Sequence, residues 1–167
     1  MQANFGSGLD GTWADYKYGF SAVNGGFWYG TEAIHQMTTL SSNSYSLCVE
    51  AEEVNGLFIA FVYQIFIMDS ESDGYTYFTF GVAGSFDPLG PTNRQFKFTT
   101  KDQNNQECCC ANQAIPGKGG WWYSCTTSYT HITIAMNGVG LAGFYYYKPL
   151  LGSVEYKYTK LIIKANP

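Results

Sequence analysis

The sequence predicts an α+β domain built on a central, twisted, mostly antiparallel sheet, with short helices and a loop-rich C-terminal subregion. Three observations predict it. Fourteen Tyr, twelve Phe and four Trp stand beside nineteen Gly, while charged residues make up only 13% of 167, about half the usual share for a globular domain. Large rings joined by small residues suit sheets and packed loops rather than a helical bundle. Period-2 alternation recurs between residues 44 and 82, separated by short turn signals. Beyond Gly84, Gly, Pro, Asn and Gln rise and periodicity fades.

Taken in order, residues 1–11 read as a polar, loosely held end. Thr31 is placed to cap a short helix over residues 33–39, with Glu32 in its first turn and Ile34 and Met37 on its buried side. Residues 44–50 alternate: Tyr45, Leu47 and Val49 face one way, and Ser46, Cys48 and Glu50 the other. Asn55-Gly56 marks a hairpin turn. Residues 57–68 form a nearly continuous apolar run, read as a strand central to the sheet; twelve residues interrupted by Gln64 are too few for a membrane-spanning helix. Residues 69–74 make a polar connection into a strand over 75–82. Short strands are predicted at 130–136 and 143–147, and a final strand at 156–164. The organisation is one domain over 1–167, divided into a central sheet subregion (12–84), a loop-rich subregion (85–155) and a closing strand (156–167).

A net charge of -4 and the lack of a polybasic run argue against nucleic acid as a partner. No signal peptide is visible in the first twenty residues. The five cysteines are Cys48, the consecutive Cys108, Cys109 and Cys110, and Cys125. Adjacent cysteines do not meet zinc-ligand spacing. A disulfide from the triplet to Cys125 is the expected arrangement; it implies an oxidising compartment and leaves at least one thiol free or paired with another chain. No nucleophile elbow, zinc-protease or phosphate-loop motif occurs, and the Glu50, Glu52 and Glu53 run reads as a solvated strand end. The chain is not expected to be an enzyme.

Two long runs carry a family resemblance. Trp13-Ala14-Asp15-Tyr16-Lys17-Tyr18-Gly19-Phe20 is followed by Gly26-Phe27-Trp28-Tyr29-Gly30-Thr31-Glu32-Ala33-Ile34-His35-Gln36-Met37-Thr38. Further on come Phe98-Thr99-Thr100-Lys101-Asp102, then Cys110-Ala111, then Gly119-Gly120-Trp121-Trp122-Tyr123-Ser124-Cys125, and at the end Lys160-Leu161-Ile162-Ile163-Lys164. In this order they resemble a fibrinogen-like (fibrinogen C-terminal) domain that lacks the family's usual N-terminal subdomain. Strands that pack on that subdomain are then expected either to expose an edge or to have it buried by the N-terminal tail.

The resemblance implies a Cys110–Cys125 disulfide beside a cis Ser124–Cys125 peptide, leaving Cys48, Cys108 and Cys109 as free or intermolecular cysteines. It implies a calcium loop whose two carboxylate positions fall on Asn104 and Gln106. Neutral amides weaken calcium binding, so the loop is expected to be degenerate and no cofactor is expected; the alternative is a shifted calcium site that uses Asp102 and Glu107. The implied ligand pocket contains Gln113, Tyr123, Thr126, Tyr129 and His131, with Thr126 where the family carries histidine and Ala114 where the peptide-capturing members carry a carboxylate. The functional expectation is a secreted, lectin-like recognition module for acetylated glycans or related small ligands. The alternative is a structural, self-associating extracellular protein with a degenerate pocket.

Overall fold

The computed structural model describes residues 2–5, 9–22, 25–83, 97–105, 119–122, 133–134, 144–148 and 152–167. Among them the protein forms β1 (Gln2–Phe5), α1 (Trp13–Tyr18), β2 (Phe20–Ser21), β3 (Phe27–Trp28), α2 (Thr31–Leu40), β4 (Tyr45–Glu53), β5 (Phe58–Met68), β6 (Tyr77–Ala83), β7 (Thr133–Ile134), β8 (Phe144–Lys148) and β9 (Gly152–Ala165). The strands join one antiparallel sheet in the order β2-β3-β1-β9-β4-β5-β6, and β8 also pairs with β9 and with β7.

The final strand, expected over 156–164, is β9 and is longer than its alternation indicated. It lies in the middle of the sheet, against β4 from Tyr45↔Ala165 to Glu53↔Tyr156. On its other side it meets β1 and β8. The N-terminal end, expected to be loose, supplies β1, whose residues 2–5 pair with 162–159 of β9. It satisfies main-chain groups that would otherwise form an open edge. The long apolar run corrects the sequence expectation in one respect. It is β5, flanked by β4 and β6, but it lies next to the end of the sheet rather than at its centre.

Helix α2 begins earlier than expected. Gly30 is its N-cap with φ +110°, and Thr31 is not a cap but a buried first-turn residue whose hydroxyl donates to the Tyr16 carbonyl. Ile34 and Thr38 are buried, while Met37 only flanks the core. Thr38 Oγ1 accepts from the Met68 backbone N–H at 3.1 Å, and His35 Nδ1 donates to the Met68 carbonyl at 2.8 Å, fixing α2 to the end of β5. Helix α1 is a single capped turn and a half. Asp15 accepts from the Thr12 N–H at 2.8 Å and Thr12 Oγ1 accepts from the Asp15 N–H, a reciprocal box that satisfies two first-turn donors. The Thr12 hydrogen bonds hold the Asp15 carboxyl below its usual range.

Gly19 and Gly30 explain why the two helices meet so closely. Both have positive φ, and a Cβ on Gly19 would lie 2.6 Å from the Tyr29 carbonyl oxygen, while one on Gly30 would lie 2.9 Å from that of Lys17. Backbone packs on backbone here, which only glycine permits.

Along β4, Leu47, Val49, Ala51 and Glu53 face the core in strict alternation. On β5 the alternation breaks: Tyr63 and Phe66 are both buried, and Gln64 and Ile65 between them are both exposed. The break sits opposite Gly81, whose φ of +68° and contact with Gln64 let both strands change face together without altering the register, since Tyr63↔Val82 and Ile65↔Phe80 remain paired. One consequence is that Phe58, Val62, Ile65, Ile67 and Phe80 share an outer face that lies open to solvent.

Candidate functional site

The described segments 97–105 and 119–122 pack through aromatic residues. Phe98 is fully buried at their hub, with its ring centroid 4.9 Å from Trp122, 5.2 Å from Tyr16, 5.9 Å from Trp28 and 6.2 Å from Trp13. Tilted, stacked and edge-to-face pairs of this kind add to the stabilisation from burial. Each of three indole N–H groups has a partner. Trp28 Nε1 donates to the Tyr16 carbonyl at 2.9 Å, Trp122 Nε1 to the Tyr75 carbonyl at 2.6 Å and Trp13 Nε1 to Glu71 Oε1 at 2.8 Å. Gly120 completes the packing, because a Cβ there would strike the Phe98 and Tyr16 rings at 2.8 Å.

This platform grips both ends of the segment at 106–118. Thr99 and Trp121 exchange two backbone hydrogen bonds of 3.0 Å, and the Phe98 N–H donates to the Gly74 carbonyl at 2.8 Å. Thr100 and Gln103 close a tight turn through their backbones. Asn105 Nδ2 donates to the Phe98 carbonyl at 2.8 Å. The segments 98–105 and 119–122 are thus held side by side by main-chain bonds, not only by packing.

Asp102 has a defined structural task. Its Oδ1 accepts from the Trp13 backbone N–H at 2.9 Å and from Thr100 Oγ1 at 2.8 Å, so it ties the loop entry to the start of α1. Beside it, Lys101 Nζ donates to the Asp10 carbonyl at 2.6 Å and pairs with the Asp10 carboxylate at 3.3 Å. Asn104 is exposed. Among the described residues no group of three or more His, Cys, Asp or Glu can hold a metal ion. Of the four expected loop donors the described residues include two, the Asp102 carboxylate, with one oxygen already engaged, and the neutral Asn104 amide. Gln106 and Glu107 lie outside the described residues. So do Cys108, Cys109, Cys110 and Cys125, the Ser124–Cys125 peptide, and the pocket candidates Gln113, Tyr123, Thr126, Tyr129 and His131. Cys48 is a free, half-buried thiol, and burial pushes its pKa up.

Two features escaped sequence reasoning. A charged cluster stands at the edge of the platform: Lys17 Nζ pairs with Glu71 Oε2 at 2.6 Å, and Tyr75 OH donates to Glu32 Oε2 at 2.7 Å. These bonds hold the Glu71 and Glu32 carboxyls below their usual range. Tyr75 itself has φ +49°, rare for a residue with a side chain, and is fully buried. The other feature is a small apolar cavity of about 20 Å³ between α2 and the inner sheet face, walled by Trp28, Ile34, Phe66, Trp121 and Trp122, with half-exposed Tyr29 at its rim. Neither has a local sequence signal, because each joins residues far apart in the chain.

The arrangement matches known proteins. The family model for the C-terminal globular domain of the fibrinogen beta and gamma chains matches residues 3–149. The protein belongs to this family. Human angiopoietin-related protein 7 is 36% identical over 119 residues, covering 69% of this chain and 32% of that protein. Mouse angiopoietin-4 is 35% identical over 115 residues, covering 67% and 22%. The sequence therefore spans a third or less of these relatives. Among solved structures, the fibrinogen-like globe domain of human ANGPTL6 aligns with a TM-score of 0.73 at 24% identity, over 99% of this chain and 77% of that one. A lamprey fibrin D-dimer complexed with the peptide Gly-His-Arg-Pro-amide aligns with a TM-score of 0.66 at 20% identity, over 96% and 59%. These likenesses show a fibrinogen-like globe fold, in agreement with the α+β architecture expected from sequence.

Proposed function

We propose that this fibrinogen-like protein is an extracellular, non-catalytic recognition module that binds acetylated glycans or related small polar ligands at its loop-rich end. The observation that carries this reading is the pinning of the 98–105 and 119–122 segments onto the aromatic platform. Binding sites need their loops held by a rigid, hydrogen-bonded support, and here that support is complete on both sides of the intervening segment. Gln113, Tyr123, Thr126, Tyr129 and His131 are the proposed ligand contacts, with tyrosine rings receiving an acetyl methyl and the polar groups fixing its amide and hydroxyls. Cys110 and Cys125 are the proposed disulfide that braces them. Calcium is not required in this reading, because Asp102 serves the α1 contact and the neighbouring described donor is neutral.

The deciding experiment is equilibrium binding of non-reduced protein to acetylated and matched non-acetylated glycans, in calcium and then in a chelator. Saturable binding selective for the acetylated ligands, unchanged by the chelator and lost in His131→Ala and Tyr129→Ala, is expected. Folded protein that binds neither class would overturn the glycan reading and favour the structural one, for which the open outer face of the sheet is the supporting observation.

A further inference from the structure

The outer face of the β5–β6 pair is a surface that the loop-rich end leaves unexplained. Phe58, Val62, Ile65 and Ile67 on β5 are 54%, 39%, 38% and 37% exposed, and Phe80 on β6 is 65% exposed. They are contiguous. Ile65 lies directly opposite Phe80 and Ile67 opposite Phe78 in the strand register, and Val62 lies opposite Ala83. With roughly 200 Å² for a whole Phe side chain and slightly less for Ile and Val, the five expose about 450 Å², within the range of the largest, often functional, apolar patch on a monomer.

We propose that this face is the interface through which two copies of the protein pair about a twofold axis. Two observations favour a second copy over another occupant. The first is area. Two patches pressed together remove about 900 Å² from these side chains alone, close to the roughly 1,000 Å² that a biological interface should clear. The second is charge. The adjoining rows on β4 and β9 carry Glu50 and Glu52 beside Lys160 and Lys164, with Glu50 and Lys160 paired at 3.6 Å. A strip that holds both signs in equal number is self-complementary, as a twofold contact demands. It offers no excess of positive charge to an anionic membrane and no single sign to a charged foreign partner. Cys48, opposite both Val62 and Ile162, borders the patch and reports on it.

The test is sedimentation equilibrium of the 167-residue protein across the micromolar range, in a reductant that excludes disulfide-linked dimers. A monomer–dimer equilibrium is expected. I65K and F80K, at half-exposed positions away from the core, should weaken it about tenfold or more, with near-UV circular dichroism and melting temperature unchanged. Should a lysine variant misfold, the milder I65T and F80S serve the same purpose. Cys48 should alkylate more slowly in the dimer than in either variant, and glycan binding should be the same in all of them. A protein that stays monomeric throughout, a dimer that survives folded I65K and F80K, or monomers that instead bind anionic or zwitterionic vesicles through this face would each overturn the proposal.

Discussion

The two faces of β5 have similar composition and opposite surroundings. Tyr63, Phe66 and Met68 are buried beneath α2 and the aromatic platform, whereas Val62, Ile65 and Ile67 on the same strand face solvent. An apolar run in a sequence therefore establishes that a strand forms, because such residues have strong β preference. It does not establish that both faces are covered. Covering is a non-local property: here it comes from α2 and from Trp121 and Trp122, which are distant in sequence.

The largest effects should come from the covered side. Phe98→Ala removes the ring on which four other aromatic residues converge, and should cost about 3–5 kcal/mol through lost burial and the cavity left behind. That is a large part of the stability of an ordinary domain. Denaturant unfolding should show a much lower midpoint and weaker near-UV dichroism. Phe66→Ala should cost a similar amount, while Phe80→Ala on the open face should stay within about 0.5 kcal/mol when measured on monomer. Equal costs for Phe66→Ala and Phe80→Ala would erase the distinction between the faces.

Backbone contacts should come next. Gly19→Ala and Gly30→Ala place a methyl group against a carbonyl oxygen at a positive φ, at a cost of roughly 1–3 kcal/mol each. The two sites touch the same helix junction, so the double variant should cost less than the sum of the singles. Thermal melts of the three proteins test this, and strict additivity would mean that the junction does not act as a unit.

Much of this was legible in advance. The strands β4, β5, β6 and β9 were visible from alternation and turn residues, and the order of Trp-, Gly- and Cys-containing motifs pointed to the family. The glycines and tryptophans of those motifs prove to serve packing: Gly19 and Gly30 permit the helix junction, and Trp28, Trp121 and Trp122 form the platform. What sequence could not show was mostly tertiary. Asp102 reads as a metal-ligand candidate because it is a carboxylate in a polar loop, and no local pattern shows that its Oδ1 also takes the Trp13 N–H, 89 positions away. Thr31 reads as a helix cap, yet Gly30 takes that place because the close approach to Lys17 requires a residue with no side chain. The outer face of β5 was hidden because exposure depends on what is packed nearby, and periodicity cannot report that.

The smallest effect tests the edge of the platform, where covered and open regions meet. The hydrogen bond from Lys17 lowers the Glu71 carboxyl pKa, whereas burial, aided by Asp73, raises that of Asp69. The two should respond to acid in opposite directions. A lowered folded pKa means that the unfolded protein binds protons first, so the Glu71 contribution is present above the ordinary glutamate value of about 4.3 and is lost as pH falls through the lower folded value. A raised folded pKa means the reverse: the Asp69 contribution is fully present below the ordinary aspartate value of about 3.9 and is lost as pH rises through the folded value. Glu71→Gln should therefore flatten the loss of stability between about pH 5 and pH 3, and Asp69→Asn should steepen it while raising stability at neutral pH. Urea midpoints measured across that range separate the two. Parallel pH profiles for both variants and the parent would show that neither carboxylate is coupled to the fold, and that the charged rim is held by the packing beneath it alone.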